Sequence, residues 1–161
     1  MARRSSAAFD EAIRLNMSAL VAYSRSVTND SWTADEAVQE TLIRAWRYWP
    51  TFRHESHILT WLITICRRVV IDMASRTVAH EQIVEEVLAI PESHSVIGVN
   101  ELIAELPLHQ REVLVLCSVI GFDYETTASI LDIPVGTVRS RLSRARDALA
   151  AQMASEKRDA V

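Results

Sequence analysis

Four arginines lie close together near the carboxyl end of the chain, in the run RSRLSRAR: Arg139, Arg141, Arg144 and Arg146. Guanidinium groups form paired hydrogen bonds with guanine edges and bind phosphates, so such a run suits a DNA-reading helix. A solvated helix face would have the same composition. A preceding helical segment that contains Ala128, Ile130 and Leu131, followed by the turn Asp132–Pro134, favours a helix-turn-helix.

The helix that carries these arginines, predicted over Val135–Leu149, has two faces. Apolar residues at a spacing of three and four form the stripe that must face a core: Val138, Leu142, Ala145 and Leu149. The helix start and outer face can reach base edges with Thr137, Arg139, Ser140, Ser143 and Arg144. The flanking Arg141 and Arg146 suit phosphates, which position a helix without specifying sequence. Gly136 permits close approach of the backbone to DNA.

The elements that must hold this helix are themselves predicted to be helices. Three Gly and four Pro among 161 residues, with 49% hydrophobic residues, indicate an all-α protein with material for a core. Amphipathic periodicity predicts three helices in the first part: Phe9–Val27, one from Thr33 to Pro50, and Ile58–Arg76. Two more precede the helix-turn-helix: a short one ended by Pro107, and His109–Ile120, capped by Gly121.

The second helix of the first part is predicted to begin with a capping box formed by Thr33 and Glu36. Its predicted core residues are Val38, Leu42, Ala45, Trp46 and Trp49. Its opposite edge presents Glu36, Glu40, Arg44 and Arg47 to solvent or to a partner. The core stripe predicted for the third helix is Trp61, Leu62, Ile65, Val69 and Met73, with Arg67 and Arg68 partly off it.

The formal net charge of −4 conceals an uneven distribution. Residues 1–76 carry +2, residues 77–110 carry six Glu and no basic residue, and the charges from Arg111 onward cancel. The acidic, Pro- and Ser-containing segment 77–98 is predicted to be a flexible linker with one weak helical turn around Glu85–Ala89. The chain is thus predicted to form two small helical domains.

Several classes of function are disfavoured by the composition. The sequence has no signal-peptide pattern and no apolar run of about 18 residues, which predicts a cytoplasmic protein without membrane insertion. Cys66 and Cys117 lie in apolar helical patterns and are predicted to be buried thiols. His54 and His57 lack a third ligand nearby, so no metal is predicted. With no catalytic grouping and no phosphate-binding glycine loop, the sequence predicts neither an enzyme nor a cofactor.

Two long segments together carry a resemblance to a known family. The segment LPLHQREVLVL followed by GFDYETTASILDIPVGTVRSRLSRARDAL resembles region four of bacterial extracytoplasmic-function (ECF) sigma factors of the sigma-70 family. The segments ADEAVQETLIRAWRYWPTF and TWLITICRRVVID resemble region two of the same family. The resemblance implies region two at 8–76, the linker at 77–98 and region four at 99–151.

The resemblance implies a role for each matched residue. Asp35, Gln39 and Glu40 would contact the clamp of the largest subunit of core RNA polymerase, and the flap of the second-largest subunit would hold region four. The helix that carries the four arginines, Val135–Leu149, is called the reader helix, and it would contact the minus-thirty-five promoter element. The loop 52–57 would capture a flipped minus-ten base with nearby arginines, so the implied minus-ten set is Phe52, Arg53, His54, Glu55, Ser56, His57, Arg67 and Arg68.

The chain departs from the family pattern at a few positions, and two functions stay open. His54 replaces a common Gly, His57 a small residue, Arg68 a common Asn, and Thr126 and Thr127 a Glu-Ile pair. The resemblance implies a sigma factor that starts transcription at specific promoters and is held by an anti-sigma factor. The altered minus-ten positions also allow a decoy that occupies an anti-sigma factor without starting transcription. The acidic linker would thread the polymerase cleft or act as a spacer.

Overall fold

The fold is all-α in a computed structural model, which describes residues 6–28, 30–53, 56–81 and 99–159. Its elements in chain order are α1 (Ser6–Val27), α2 (Ser31–Tyr48), a 3-10 turn (Trp49–Thr51), α3 (Ile58–Glu81), α4 (Val99–Glu105), α5 (Leu108–Leu114) with a π-helical continuation (Val115–Ile120), α6 (Tyr124–Leu131) and α7 (Val135–Asp159). Within this part of the chain, no helix is both long and apolar enough to cross a membrane.

Helices α1, α2 and α3 pack against one another and form the first domain. Each contributes an apolar stripe, and Leu20, Leu62 and Val69 are completely buried. The Ser24 hydroxyl donates a 2.8 Å hydrogen bond to the Ala34 carbonyl and so ties α1 to the first turn of α2. The three helices predicted for the first part of the sequence are thereby confirmed.

Helix α2 begins with a cap that the sequence prediction missed. Asp30 has an extended backbone, and its carboxylate accepts hydrogen bonds from the Thr33 amide at 2.8 Å and from the Thr33 hydroxyl at 2.7 Å. These bonds hold the pKa of Asp30 below its usual range. The predicted capping box is therefore wrong, because Thr33 lies inside the helix and donates to the cap.

Removing this cap tests the assignment. We expect Asp30→Ala to lower the free energy of unfolding by about 0.5–2 kcal/mol, measured by urea unfolding. Glu36→Ala, the change that a capping box would penalise, is expected to stay within about 0.5 kcal/mol of wild type. Because the folded-state pKa of Asp30 is lowered, the cap stabilises above its unfolded pKa and is lost as pH falls through the folded value. Equal costs for the two variants would contradict the Asp30 cap.

Helices α4 to α7 form the second domain, with α7 packed on α4, α5 and α6. Gly121 ends the π-helical turn with φ of +86°, a conformation that favours glycine, so the predicted Gly121 cap is confirmed. Asp132 ends α6 with φ of +54°, which a short polar side chain tolerates. These two residues, both in the left-handed conformation, change the direction of the chain before α6 and before α7.

The two domains pack against each other. Helix α5 and its π-helical continuation contact α1, and α6 contacts α3, so one apolar core runs through both domains. Ile63 and Cys66 are also completely buried, although they lie off the predicted core stripe of α3. Cys66 lies beside Thr41 of α2 and Ser24 of α1, within the first domain. Both cysteines are free thiols, Cys66 buried and Cys117 partly buried, and burial raises the pKa of Cys66.

Three further predictions about the elements need correction. Helix α3 continues to Glu81, so the first residues of the predicted linker are helical, and α7 continues to Asp159 rather than ending at Leu149. Trp46, predicted to lie in the core, is 51% exposed and contacts Phe9 edge to face at 5.1 Å. Trp46 is at the flank of α2, whose buried side is formed by Ala37, Thr41 and Ala45. Residues 82–98, with the predicted flexible linker and its weak helical turn, lie outside the described residues.

Candidate functional site

The helix-turn-helix presents α7 with its apolar stripe buried and its arginines outward. Val138 and Ala145 are completely buried and Leu142 is 2% exposed. Pro134 opens the helix, since its carbonyl accepts hydrogen bonds from the Thr137 amide at 2.9 Å and the Val138 amide at 3.2 Å. Five of the residues predicted to contact bases or phosphates are exposed: Arg139, Ser140, Ser143, Arg144 and Arg146. The other two, Thr137 and Arg141, are partly buried.

Two contacts hold arginines of α7 in place. The Arg139 guanidinium lies 5.6 Å from the centre of the Tyr124 ring, a cation–π distance that orients it from the start of α6. Arg146 Nη2 lies 3.5 Å from Ser118 Oγ. Asp123 caps α6 by accepting from the Thr126 amide at 2.6 Å, and this hydrogen bond lowers the pKa of Asp123. Helix α7 is supported mainly by its packing on α5 and α6.

Gly136 at the amino end of α7 is exposed, and a Cβ atom there would meet nothing within 4 Å. Packing within the described part of the chain therefore does not require a glycine at this position. A missing side chain on an outer face lets the backbone of a helix start approach a phosphate closely. The close approach to DNA at Gly136 stays a prediction.

The predicted minus-ten loop rests on an aromatic cluster at the end of α2. Phe52 is 8% exposed and lies 4.6 Å from the Trp61 ring and 5.9 Å from the Trp49 ring, centroid to centroid. Phe52 therefore supports the loop from below, whereas Arg53, Ser56 and His57 are exposed. His54 and Glu55 lie outside the described residues.

A groove of about 620 Å³ lies between α2 and α3, next to this loop. Its lining combines three arginines with two aromatic rings and polar groups: Glu40, Arg44, Arg47, Tyr48, Thr51, Trp61, Thr64, Ile65 and Arg68. Of the two predicted arginines of α3, Arg68 lines this groove. The sequence did not group Arg47, Tyr48 and Trp61 with Arg68, because they come together only when α2 packs on α3.

Arg67 lies elsewhere. Its Nε is 3.1 Å from Glu112 Oε1 in the second domain, so its guanidinium is held at the contact between the domains. Arg44 is held within the first domain, with Nε 2.7 Å from Glu40 Oε1 and Nη1 2.7 Å from Asp72 Oδ2. Arg68 and Arg47 are exposed.

The exposed face of α2 brings together the residues predicted to bind polymerase. Asp35 and Gln39 are exposed, and Glu40 is partly buried in its pair with Arg44. Large apolar side chains share this face at helical spacing: Trp32 (73% exposed), Ile43 (55%) and Trp46 (51%). Such a run of exposed apolar groups with a polar border has the composition of a protein-binding surface. The sequence prediction missed its apolar half.

Comparisons with known proteins match both domains. The family model described as Sigma-70 region 2 matches residues 12–79, and that described as Sigma-70, region 4 matches residues 98–149. The "ECF RNA polymerase sigma factor SigC" of Mycobacterium tuberculosis is 34% identical over 157 residues, covering 92% of this chain and 83% of that protein. The chain belongs to the ECF sigma factors of the sigma-70 family. The predicted fold class, two helical domains of regions two and four, is confirmed.

Two further relatives extend the similarity. The "ECF RNA polymerase sigma factor EcfG" of Rhodopseudomonas palustris is 34% identical over 140 residues, covering 82% of this chain and 77% of that protein. The sigma factor RpoE of Bartonella quintana, solved in complex with the anti-sigma factor NepR, has a TM-score of 0.78 and 29% identity, covering 90% of this chain and 96% of that chain. ECF sigma factors are transcription regulators and not enzymes.

Proposed function

We propose that this ECF sigma factor binds core RNA polymerase and directs it to specific promoters through two DNA contacts. Region four reads the minus-thirty-five element, and region two melts and reads the minus-ten element. The observation that carries the proposal is the surface of α7, where Arg139, Ser140 and Arg144 are exposed while Val138, Leu142 and Ala145 are buried against the domain. A helix built in this way fits the major groove.

Exposure on α7 supports a division of roles. Arg144, Ser143 and Ser140 lie on the outermost face, where side chains reach base edges. Arg141 and Arg146 are at the sides of the helix, where they meet phosphates and fix its orientation. Arg139, held by Tyr124, enters the groove already oriented, which lowers the entropic cost of ordering its side chain on binding.

The groove between α2 and α3 is the proposed minus-ten site. Extruding a base from the stack costs a few kcal/mol, which contacts in a pocket must recover. Trp61 and Tyr48 supply apolar surface, and Arg47 and Arg68 supply charge for the displaced single strand. Arg53, Ser56 and His57 lie at the exposed edge of the loop. His54 and Glu55 are included in the proposed site because of their position in the sequence of the loop.

The exposed face of α2 is the proposed contact with the polymerase clamp, and the flap of the second-largest subunit is proposed to hold region four. Asp35 and Gln39 border Ile43 and Trp32, so polar groups would set the register while apolar area excludes water. We also propose an anti-sigma partner, since the similar sigma factor of Bartonella quintana was solved in complex with one.

Transcription with purified components tests the proposed function. Core RNA polymerase is incubated with this chain on a pool of genomic promoters, and start sites are mapped with and without it. New start sites that share two sequence elements are the expected result. Absence of any new start site, with intact binding to an anti-sigma factor, would instead identify the decoy that the sequence left open.

Reversing one charge on α2 tests the clamp contact. We expect Asp35→Lys to weaken binding to core polymerase, chiefly through slower association, because a charge at the border of an interface steers encounter. Asp10→Lys makes the same charge change at an exposed position of α1 and is expected to bind as wild type does. The affinity and the association rate of each variant are measured by its binding to core polymerase immobilised on a surface. Equal loss in both variants would remove Asp35 from the proposed contact.

A further inference from the structure

Glu112 of region four is held between two helices of region two. Its Oε1 lies 3.0 Å from the Tyr23 hydroxyl of α1 and 3.1 Å from Arg67 Nε of α3. Tyr23 is completely buried and Glu112 is 9% exposed. Burial, with a further contribution from the Glu112 carboxylate, raises the pKa of Tyr23 well above its ordinary value, so the hydroxyl stays protonated and donates. One carboxylate thus joins three helices across the domain boundary.

The neighbouring residue makes a second polar contact across the same boundary. Arg111 Nη1 donates to the Ser26 carbonyl in the last turn of α1 at 3.2 Å, and its Nη2 donates to the Leu106 carbonyl within region four at 2.9 Å. A guanidinium at a helix carboxyl end also meets the negative end of the helix dipole. Two adjacent residues of α5, Arg111 and Glu112, therefore both attach region four to region two.

The polar contacts lie on an apolar interface. Five consecutive residues of region four, 112–116, are buried, which a helix achieves only when it is covered on more than one side. Helix α5 packs against α1 on one side and α7 on the other. Breaking the contact between the domains therefore exposes apolar surface as well as Glu112.

This compact arrangement is incompatible with the simultaneous promoter contacts of the proposed function. At roughly 3.4 Å per base pair, elements about 25 base pairs apart lie about 85 Å from each other. A compact chain of this length has a radius of gyration of only about 15 Å. In addition, Arg67, a predicted minus-ten residue, is engaged by Glu112 in the compact state. Region four must leave region two before both elements can be bound.

We propose that the packed domains form a self-inhibited state of the sigma factor, latched by Glu112 between Tyr23 and Arg67, which core polymerase opens by holding the two regions apart. The inhibition rests on the proposed function, whereas the packed arrangement of the domains rests on the interdomain contacts. The attraction within a buried ion pair exceeds the free-energy cost of desolvating the two charges by little, whereas a buried charge without its partner is strongly unfavourable. The latch therefore holds the closed state only while all its partners are present.

Solution scattering of the full chain tests the closed state without polymerase. Wild type is expected to have a radius of gyration near 15 Å. Glu112→Gln keeps the size of the side chain but leaves Arg67 without its ion pair, and Tyr23→Phe removes one hydrogen bond without changing the ring; both are expected to increase the radius. Glu125→Gln, at an exposed position of α6, is the matched control and is expected to stay compact. Circular dichroism verifies that each variant is folded.

Exchanging the two charges separates loss of the latch from general damage. The double variant Glu112→Arg with Arg67→Glu restores an ion pair in reverse order, and we expect it to be more compact than either single variant. An extended wild type, or a folded Glu112→Gln variant as compact as wild type, would overturn the latch.

Binding to core polymerase tests the inhibition. When only the open fraction binds, the apparent Kd falls by the factor by which the open fraction rises. We expect Glu112→Gln to bind core polymerase about tenfold more tightly than wild type, the shift that corresponds to about 1.4 kcal/mol. Unchanged affinity in a variant shown to be open would overturn self-inhibition. If neither wild type nor variant binds core, the proposed function fails while the scattering result still decides the closed state.

Discussion

Replacing Arg144 with alanine is expected to weaken binding to the minus-thirty-five element by about 1–3 kcal/mol, roughly five- to 150-fold. Arg144 is exposed on the outermost face of α7, so alanine would remove the proposed base contact without opening a cavity in the core. We expect the loss to be confined to promoters with the matching base, and binding to core polymerase to be unchanged. The measurement is start-site yield on the native promoter and on a promoter with single changes in this element.

Arg14→Ala is the matched control for this experiment. Arg14 is an exposed arginine of α1 that pairs with Glu11 at 2.7 Å, so its replacement makes the same charge change away from the reader helix. We expect it to leave promoter selection intact. An equal loss for Arg144→Ala on every promoter would show that Arg144 contacts a phosphate, since phosphate contacts carry no sequence information.

The reader helix could be predicted because its signals are local. The stripe Val138, Leu142 and Ala145 repeats at helical spacing, and the same periodicity assigns the opposite face to the arginines. The structure confirms both faces without any contact distant in sequence being needed. Gly121 is equally local, because a left-handed residue after a helix is most often glycine.

Features that depend on long-range packing were not predicted. Trp46 fits an apolar pattern, yet it is half exposed because α2 is covered on its Ala37 and Ala45 side. Glu112 and Tyr23 are far apart in sequence, and nothing in their local patterns joins them. The one available signal was an acidic residue followed directly by the apolar run VLVL, which favours a buried carboxylate with a partner.

The groove between α2 and α3 could be predicted only in part from the sequence. The sequence predicts Arg44 and Arg47 on an exposed edge of α2 and Arg68 partly off the core stripe of α3. Only the packing of the two helices shows that Arg47 and Arg68 line one groove, whereas Arg67, next in sequence, turns to the other domain. Successive positions on a helix point about 100° apart, so two adjacent arginines of α3 can face different neighbours, and the packing of the helices decides which one lines the groove.

The continuous core leads to the second large prediction. All four tryptophans lie in region two, so their fluorescence reports that region alone, whereas far-UV circular dichroism reports helices of both regions. Leu142 is 2% exposed in region four, and we expect Leu142→Ala to lower the free energy of unfolding by about 2–5 kcal/mol. Because α5 packs on both α1 and α7, we expect the fluorescence midpoint in urea to fall together with the dichroism midpoint.

Leu15→Ala provides the matched control, because it removes the same atoms from a side chain of α1 that is 64% exposed and is expected to stay within about 0.5 kcal/mol. If Leu142→Ala shifts the dichroism midpoint and leaves the fluorescence midpoint in place, region two unfolds independently and the interdomain contact contributes little to stability. Coincident shifts mean that damage to the core of region four is transmitted to region two through α5. The interface that carries Glu112 would then be strong enough to hold regions two and four together in the proposed closed state.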